Sequence, residues 1–122
     1  MSAGEIARRA LEQNGFHFTH SLGQNFILDD GLVGRIVDAA LVEPGDRVLE
    51  IGAGAGVMTR ALWARGARVL ALEIDRALTP VLEAVLAGSG AAVEFADVLK
   101  CDLAALTGRA FGGEPFDVVA NL

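Results

Sequence analysis

The chain has 122 residues, 52 % of them hydrophobic, with a formal net charge of −6. That length suits one small domain, and no apolar run approaches the roughly 18–20 residues of a membrane span. The ten lysines and arginines are scattered along an acidic chain, which argues against strong nucleic-acid binding by this stretch alone, because such binding neutralises phosphates with Lys and Arg.

The N-terminus, "MSAGEIARRALEQNG", carries acids and no long apolar segment, so no signal peptide is expected. The single cysteine, Cys101, has no internal partner for a disulfide. That fits a reducing cytosol, and a cytoplasmic protein is expected. The plain reading of Cys101 is a small buried or half-buried residue. His17 and His20 lack a cluster of partner ligands, so no metal is expected.

In chain order, Ile6, Ala7, Ala10 and Leu11 share one face of a helix over 4–14, with Gly15 as its stop. "FHFTHSLGQNF" shows no period and reads as a loop. Asp29 or Asp30 caps a second helix over 31–42, which turns Leu32, Val33, Ile36, Val37 and Ala40 to one side. "VEPGD" is a turn. A repeating unit follows. "RVLEI" is a strand, 56–65 a helix, "ARVLALEI" a strand, 76–87 a helix, "AAVEFA" a strand, 102–107 a short helix and "FDVVAN" a fourth strand. Strands alternating with helices predict right-handed crossovers and an α/β, doubly wound parallel sheet. Near-continuous apolar runs such as "VLAL" fit strands buried on both faces.

The turn after the first strand, "GAGAG", places Gly52, Gly54 and Gly56 between strand and helix. A phosphate loop needs Lys-Ser/Thr after its last glycine. Here Val57 and Met58 follow. The dinucleotide fingerprint G-x-G-x-x-G fails from either start, at Val57 or at Thr59, so an NAD-linked oxidoreductase has the right fold class and the wrong glycine spacing. Context favours a ligand over a merely structural turn. The second strand ends at Glu73, the third at Asp97 and the fourth at Asn121. In doubly wound sheets ligands bind outside the carboxyl ends of the strands, where a carboxylate can accept from ribose hydroxyls. Glu50, just before the glycines, either orients the turn or faces a ligand's amino group through water.

"E-I-G-x-G-x-G" with a downstream acid resembles motif I of class I S-adenosylmethionine-dependent methyltransferases, whose domain is Rossmann-like. More specifically, "SLGQNFILD", "LEIGAGAGVMT", "LEID", "ADVLKCDL" and the final "NL" resemble, in order and spacing, the ribosomal RNA adenine dimethyltransferases. The bacterial small-subunit branch resembles the chain best. The large-subunit branch associated with macrolide resistance is the alternative, and a non-catalytic cofactor-binding fragment is another.

The resemblance implies S-adenosylmethionine as cofactor and ribosomal RNA or a small-subunit precursor as partner, with no membrane and no metal. Residues 1–28 then read as an N-terminal helix and cofactor-contacting loop, and 29–122 as a partial methyltransferase domain that stops after its fourth strand. By resemblance, the strands run third, second, first, fourth. Asn25 and the backbone of Ile27 contact the cofactor. Gly52 approaches its amino-acid part, Gly54 also lies in the cofactor site, Glu73 takes the ribose hydroxyls, and Asp97 accepts from the adenine amine with Val98 beside the ring. Asn121 opens an N-L-P-Y motif that holds the target adenine amine; it is the expected catalytic residue and is also expected to contact the cofactor. The Pro and aromatic of that motif lie beyond Leu122, so RNA binding and catalysis are expected to depend mainly on regions outside these residues.

Overall fold

The computed structural model describes residues 1–16 and 26–120. The first helix, α1, spans Ala3–Gln13 and starts where the Ser2 hydroxyl accepts the Glu5 N–H. Its buried face is Gly4, Ala7, Ala10 and Leu11. The small residues at its start let it approach the segment before α2 (Asp30–Ala39) closely. Both carboxylate oxygens of Asp30 accept the Gly4 N–H, and a Cβ at Gly4 would lie 2.0 Å from the Leu28 carbonyl oxygen. Asp29 is the cap of α2, accepting from the Leu32 N–H at 3.1 Å. The helix buries Val33 and Val37 and ends earlier than its sequence suggests, with Ala40 at its cap and Leu41 in the left-handed region.

The alternating unit follows as expected: β1 (Arg47–Ile51), α3 (Val57–Ala64), β2 (Arg68–Glu73), α4 (Thr79–Leu86), β3 (Ala92–Phe95), α5 (Leu103–Phe111) and β4 (Asp117–Ala120). All strand pairs are parallel, in the order β3-β2-β1-β4. Two details differ from the sequence reading. The segment expected as one helix over 76–87 opens with a 3-10 turn, Arg76–Leu78, before α4. Pro80 explains the break, since proline is accommodated in the first turn of a helix and not within it. The last helix is longer than 102–107, running from its Asp102 cap to Gly112 in the left-handed region.

Strand alternation divides the core. Val48, Val69, Ala71, Val93 and Val119 face the layer built by α1–α4. Leu49, Leu70 and Leu72 face Leu106 and Phe111 of α5 on the other side. Helices on both faces make the sheet doubly wound. Burial on both faces holds for β1 and β2. It fails at the edges: β3 alternates, and Val118 on β4 is 55 % exposed on the face where α5 does not reach it.

Candidate functional site

Because β1 is flanked by β2 on one side and β4 on the other, successive crossovers leave it in opposite directions. A crevice opens at the carboxyl ends of the strands at such a switch point. The glycine turn occupies it. The Gly52 and Ala53 N–H groups both donate to the Leu72 carbonyl, at 2.9 and 3.0 Å, which ties the turn to the end of β2. Gly52, Gly54 and Gly56 all have positive φ, a region that side chains rarely tolerate.

The glycines divide their work. A Cβ at Gly56 would lie 3.0 Å from Leu82 Cδ2 and 3.4 Å from Val85 Cγ1, so this glycine lets α3 pack on α4. A Cβ at Gly54 would meet only Phe26 Cδ1 at 3.6 Å. Phe26 packs edge-on to Phe16 at 6.0 Å between ring centroids, which brings the chain beside Ile27 over the turn. Among the described residues no side chain caps α3 at Gly56. Its first-turn N–H groups and the positive end of its dipole therefore face the crevice, an environment suited to a carboxylate.

Glu73 ends β2 and is 8 % exposed. Its Oε1 accepts the Gly54 N–H at 2.7 Å, and its Oε2 accepts the Ile74 and Asp75 N–H groups, both at 3.0 Å. The acid assigned to a ligand from sequence is thus also the brace of the glycine turn. Asp75, two residues on, caps the 3-10 turn through the Ala77 N–H at 2.9 Å. Asp97 follows β3, half-buried. Its Oδ1 accepts the Leu99 N–H at 2.9 Å, and among the described residues its Oδ2 has no partner. Val98 is half-buried beside it, with its carbonyl facing Cys101 Sγ at 3.9 Å. Cys101 is half-buried, as its sequence setting suggests.

Sequence reasoning missed Ile74. It is 68 % exposed directly after Glu73 and offers an apolar side at the same rim. The signal was an isoleucine held between two acids in "LEID". Asn25, Asn121, His17 and His20 lie outside the described residues. Glu50 turns away from the crevice. It is 2 % exposed under α3 and accepts from the Thr59 hydroxyl. Burial pushes its carboxyl from the ordinary 4.5 up to about 8; the Thr59 hydrogen bond lowers it, and the neighbouring Glu73 charge raises it again.

The profile of the ribosomal RNA adenine dimethylase family matches residues 15–122. The chain belongs to that family. Among curated relatives, the small-subunit ribosomal RNA methyltransferase A of Alkaliphilus metalliredigens is 43 % identical over 113 residues, 92 % of this chain and 39 % of its own length. The chain therefore spans about two fifths of that relative. Among solved structures, a 23S rRNA methyltransferase, ErmE, superposes with a TM-score of 0.65 at 33 % identity, covering 80 % of this chain and 37 % of its own. A dimethyladenosine transferase from Plasmodium falciparum gives 0.60 at 26 % identity, covering 77 % and 32 %. Among the described residues no helix is long and apolar enough to cross a membrane, and no cluster of His, Cys, Asp and Glu could hold a metal ion.

Proposed function

We propose that these residues form the cofactor-binding portion of an rRNA adenine N,N-dimethyltransferase that takes its methyl group from S-adenosylmethionine and acts on small-subunit ribosomal RNA. The observation that carries this reading is Glu73 against the Gly54 backbone at the switch point, with Asp97 at the next strand end. The residues fit the cofactor. A helix start without a side-chain cap among the described residues, beside the room left at Gly54, suits an amino-acid carboxylate; a strand-end carboxylate suits ribose hydroxyls, and an Asp97 Oδ2 open among the described residues suits an exocyclic amine. Ile74 and Val98 would flank a flat ring with apolar surface.

The cofactor, when bound, supplies an electrophilic methyl on a positively charged sulfur. The chain's part is to orient and desolvate. The adenine amine is a poor nucleophile because its lone pair is delocalised into the ring. Acceptors that hold its hydrogens favour pyramidal geometry and localise the pair, the role that the family resemblance gives to Asn121. A protein of this work is expected in the cytoplasm, where ribosomal precursors are made.

Titration of the intact protein with S-adenosylhomocysteine and with NAD tests the cofactor. Tight NAD binding without response to the methyl-donor product refutes the reading. Transfer of labelled methyl to unmethylated small-subunit particles tests the substrate. The likeness to the 23S rRNA methyltransferase motivates a parallel assay on large-subunit RNA, and transfer to that RNA alone would replace the small-subunit assignment.

A further inference from the structure

Glu50 makes none of the ligand contacts proposed above, yet it is one of the largest fully buried side chains, and Thr59 is 0 % exposed beside it. Their hydrogen bond joins the end of β1 to the first turn of α3 across nine positions of sequence. It therefore brackets the whole glycine turn. Among the described residues it is the only side-chain hydrogen bond between β1 and α3. The remaining ties of the turn run to β2, through the Leu72 carbonyl and Glu73.

Among the described residues no cation stands beside Glu50 to offset its charge. From α3 it meets Thr59, while neighbouring Arg60 reaches away to the carbonyls of Val85 and Ala87. Its strand partners are Ala71 on β2 and Val119 on β4, both apolar. The residues of α1, α2 and α4 in this core are apolar as well. The charge that bears on Glu50 is that of Glu73, of like sign. A carboxyl so placed is neutral at physiological pH.

We propose that Glu50 is a positioning residue for the cofactor turn: it accepts from the buried Thr59 hydroxyl and so fixes the backbone between them in the shape that Gly52 and Gly54 present to the ligand. The inference rests on the cofactor reading above. It differs from a direct ligand role, because the side chain acts through Thr59.

The experiment compares wild type, Glu50→Gln, Glu50→Leu, Thr59→Val and the double variant Glu50→Leu with Thr59→Val in the intact protein. Affinity for S-adenosylhomocysteine is measured by calorimetry at neutral pH, and amide exchange over residues 52–59 is measured alongside. Glu50→Gln keeps a buried acceptor for Thr59 and is expected to bind within about threefold of wild type. Glu50→Leu and Thr59→Val each lose the one hydrogen bond and are expected to weaken binding roughly fivefold, with faster exchange over 52–59. The double variant is expected to lose roughly fivefold in all, because both changes remove the same bond. Additive losses in the double variant overturn the proposal. So does a Glu50→Gln variant weakened more than about tenfold, since that would make Glu50 a charged ligand contact. If wild type does not bind the ligand, the cofactor reading fails and exchange decides: exchange that is faster in Thr59→Val than in wild type and Glu50→Gln supports the positioning role, and equal exchange overturns it.

Discussion

The carboxylate of Glu73 and the backbone N–H of Gly54, 19 residues apart, meet at 2.7 Å. Together with the Ile74 and Asp75 N–H groups this fills three of the roughly four acceptor positions of a carboxylate. One ribose hydroxyl can therefore join at Oε1 as the structure stands, and a second must displace Gly54. Glu73→Ala should remove both the ligand contact and the brace. A hydrogen bond to a charged group contributes roughly 1.5–3 kcal/mol, so cofactor affinity should fall about tenfold to a hundredfold and the melting temperature should drop as well. Asp75→Ala loses a cap worth about 1 kcal/mol and should leave affinity within about threefold. Calorimetry on the two variants checks the contrast, and equal affinities would refute the ligand role of Glu73.

Gly54 and Gly56 should answer the same substitution differently. At Gly56 an added Cβ meets Leu82 at 3.0 Å with φ at 87°. Left-handed backbone costs a non-glycine residue roughly 1–2 kcal/mol, and overpacking adds about 1–3 kcal/mol. Gly56→Ala should therefore lower stability by roughly 2–5 kcal/mol, the sum of those two terms. At Gly54 the new methyl has ordinary contact with Phe26 only, so the stability loss should be confined to the backbone term. Its main effect should be on cofactor affinity, because the methyl lies where the ligand approaches. Denaturant melts paired with calorimetry separate the two outcomes. A Gly54→Ala variant with wild-type affinity would place the ligand elsewhere.

The strand order was legible through the family resemblance; the alternation of strands and helices by itself predicted a parallel, doubly wound sheet without fixing its order. The rim was legible because Glu73 and Asp97 end consecutive strands. Three features were not. Pro80 was available as a helix-start signal, but the apolar period of the surrounding residues runs through it and hides the 3-10 turn. The contact between Glu50 and Thr59 depends on how α3 is rotated against β1, which sequence spacing does not specify. The bond from Gly54 to Glu73 was hidden by a good functional explanation for the acid, which left no reason to look for a structural one. The exposure of Val118 was not legible either, because it depends on where α5 lies, and α5 covers β1 and β2.

Stability should fall as pH rises through the neutral range, against the usual behaviour of a carboxylate held by hydrogen bonds. Glu50 titrates near 8 in the folded protein and near 4.5 when exposed. Between those values the folded state keeps a proton that the unfolded state has released. The contribution is fully present below about 4.5, is lost as pH rises through about 8, and changes no further above. Glu50→Gln removes this titration. The melting temperature of wild type relative to Glu50→Gln should therefore decline from about pH 5 to about pH 8 and then level off. A relative melting temperature that climbs over this range would mean that Glu50 is ionised in the fold.

Last, a polypeptide of these 122 residues alone should transfer no methyl groups and should self-associate. It spans about two fifths of the relative it matches, and catalysis requires bound cofactor, an oriented amine and RNA in register at once. The described residues bring together the first of these through Gly52, Gly54, Glu73 and Asp97. For the third, a net charge of −6 opposes the approach of a polyanion. Extruding a base costs a few kcal/mol, and the described residues place no aromatic ring at the rim of β4 to offset it. Misplacement by about 1 Å alone can cost roughly a hundredfold in rate. The same strand presents Val118 at 55 % exposure beside an edge unpaired among the described residues, a template for pairing with another chain. Val118→Lys should reduce association in light scattering without restoring activity, because it blunts the edge and supplies nothing to the site. The decisive assay sets this polypeptide against a longer one that continues the reading frame, with labelled S-adenosylmethionine and unmethylated small-subunit particles. Incorporation within about tenfold of the longer protein's rate, less than the loss expected from misplacement alone, would mean that the catalytic apparatus lies within these residues after all.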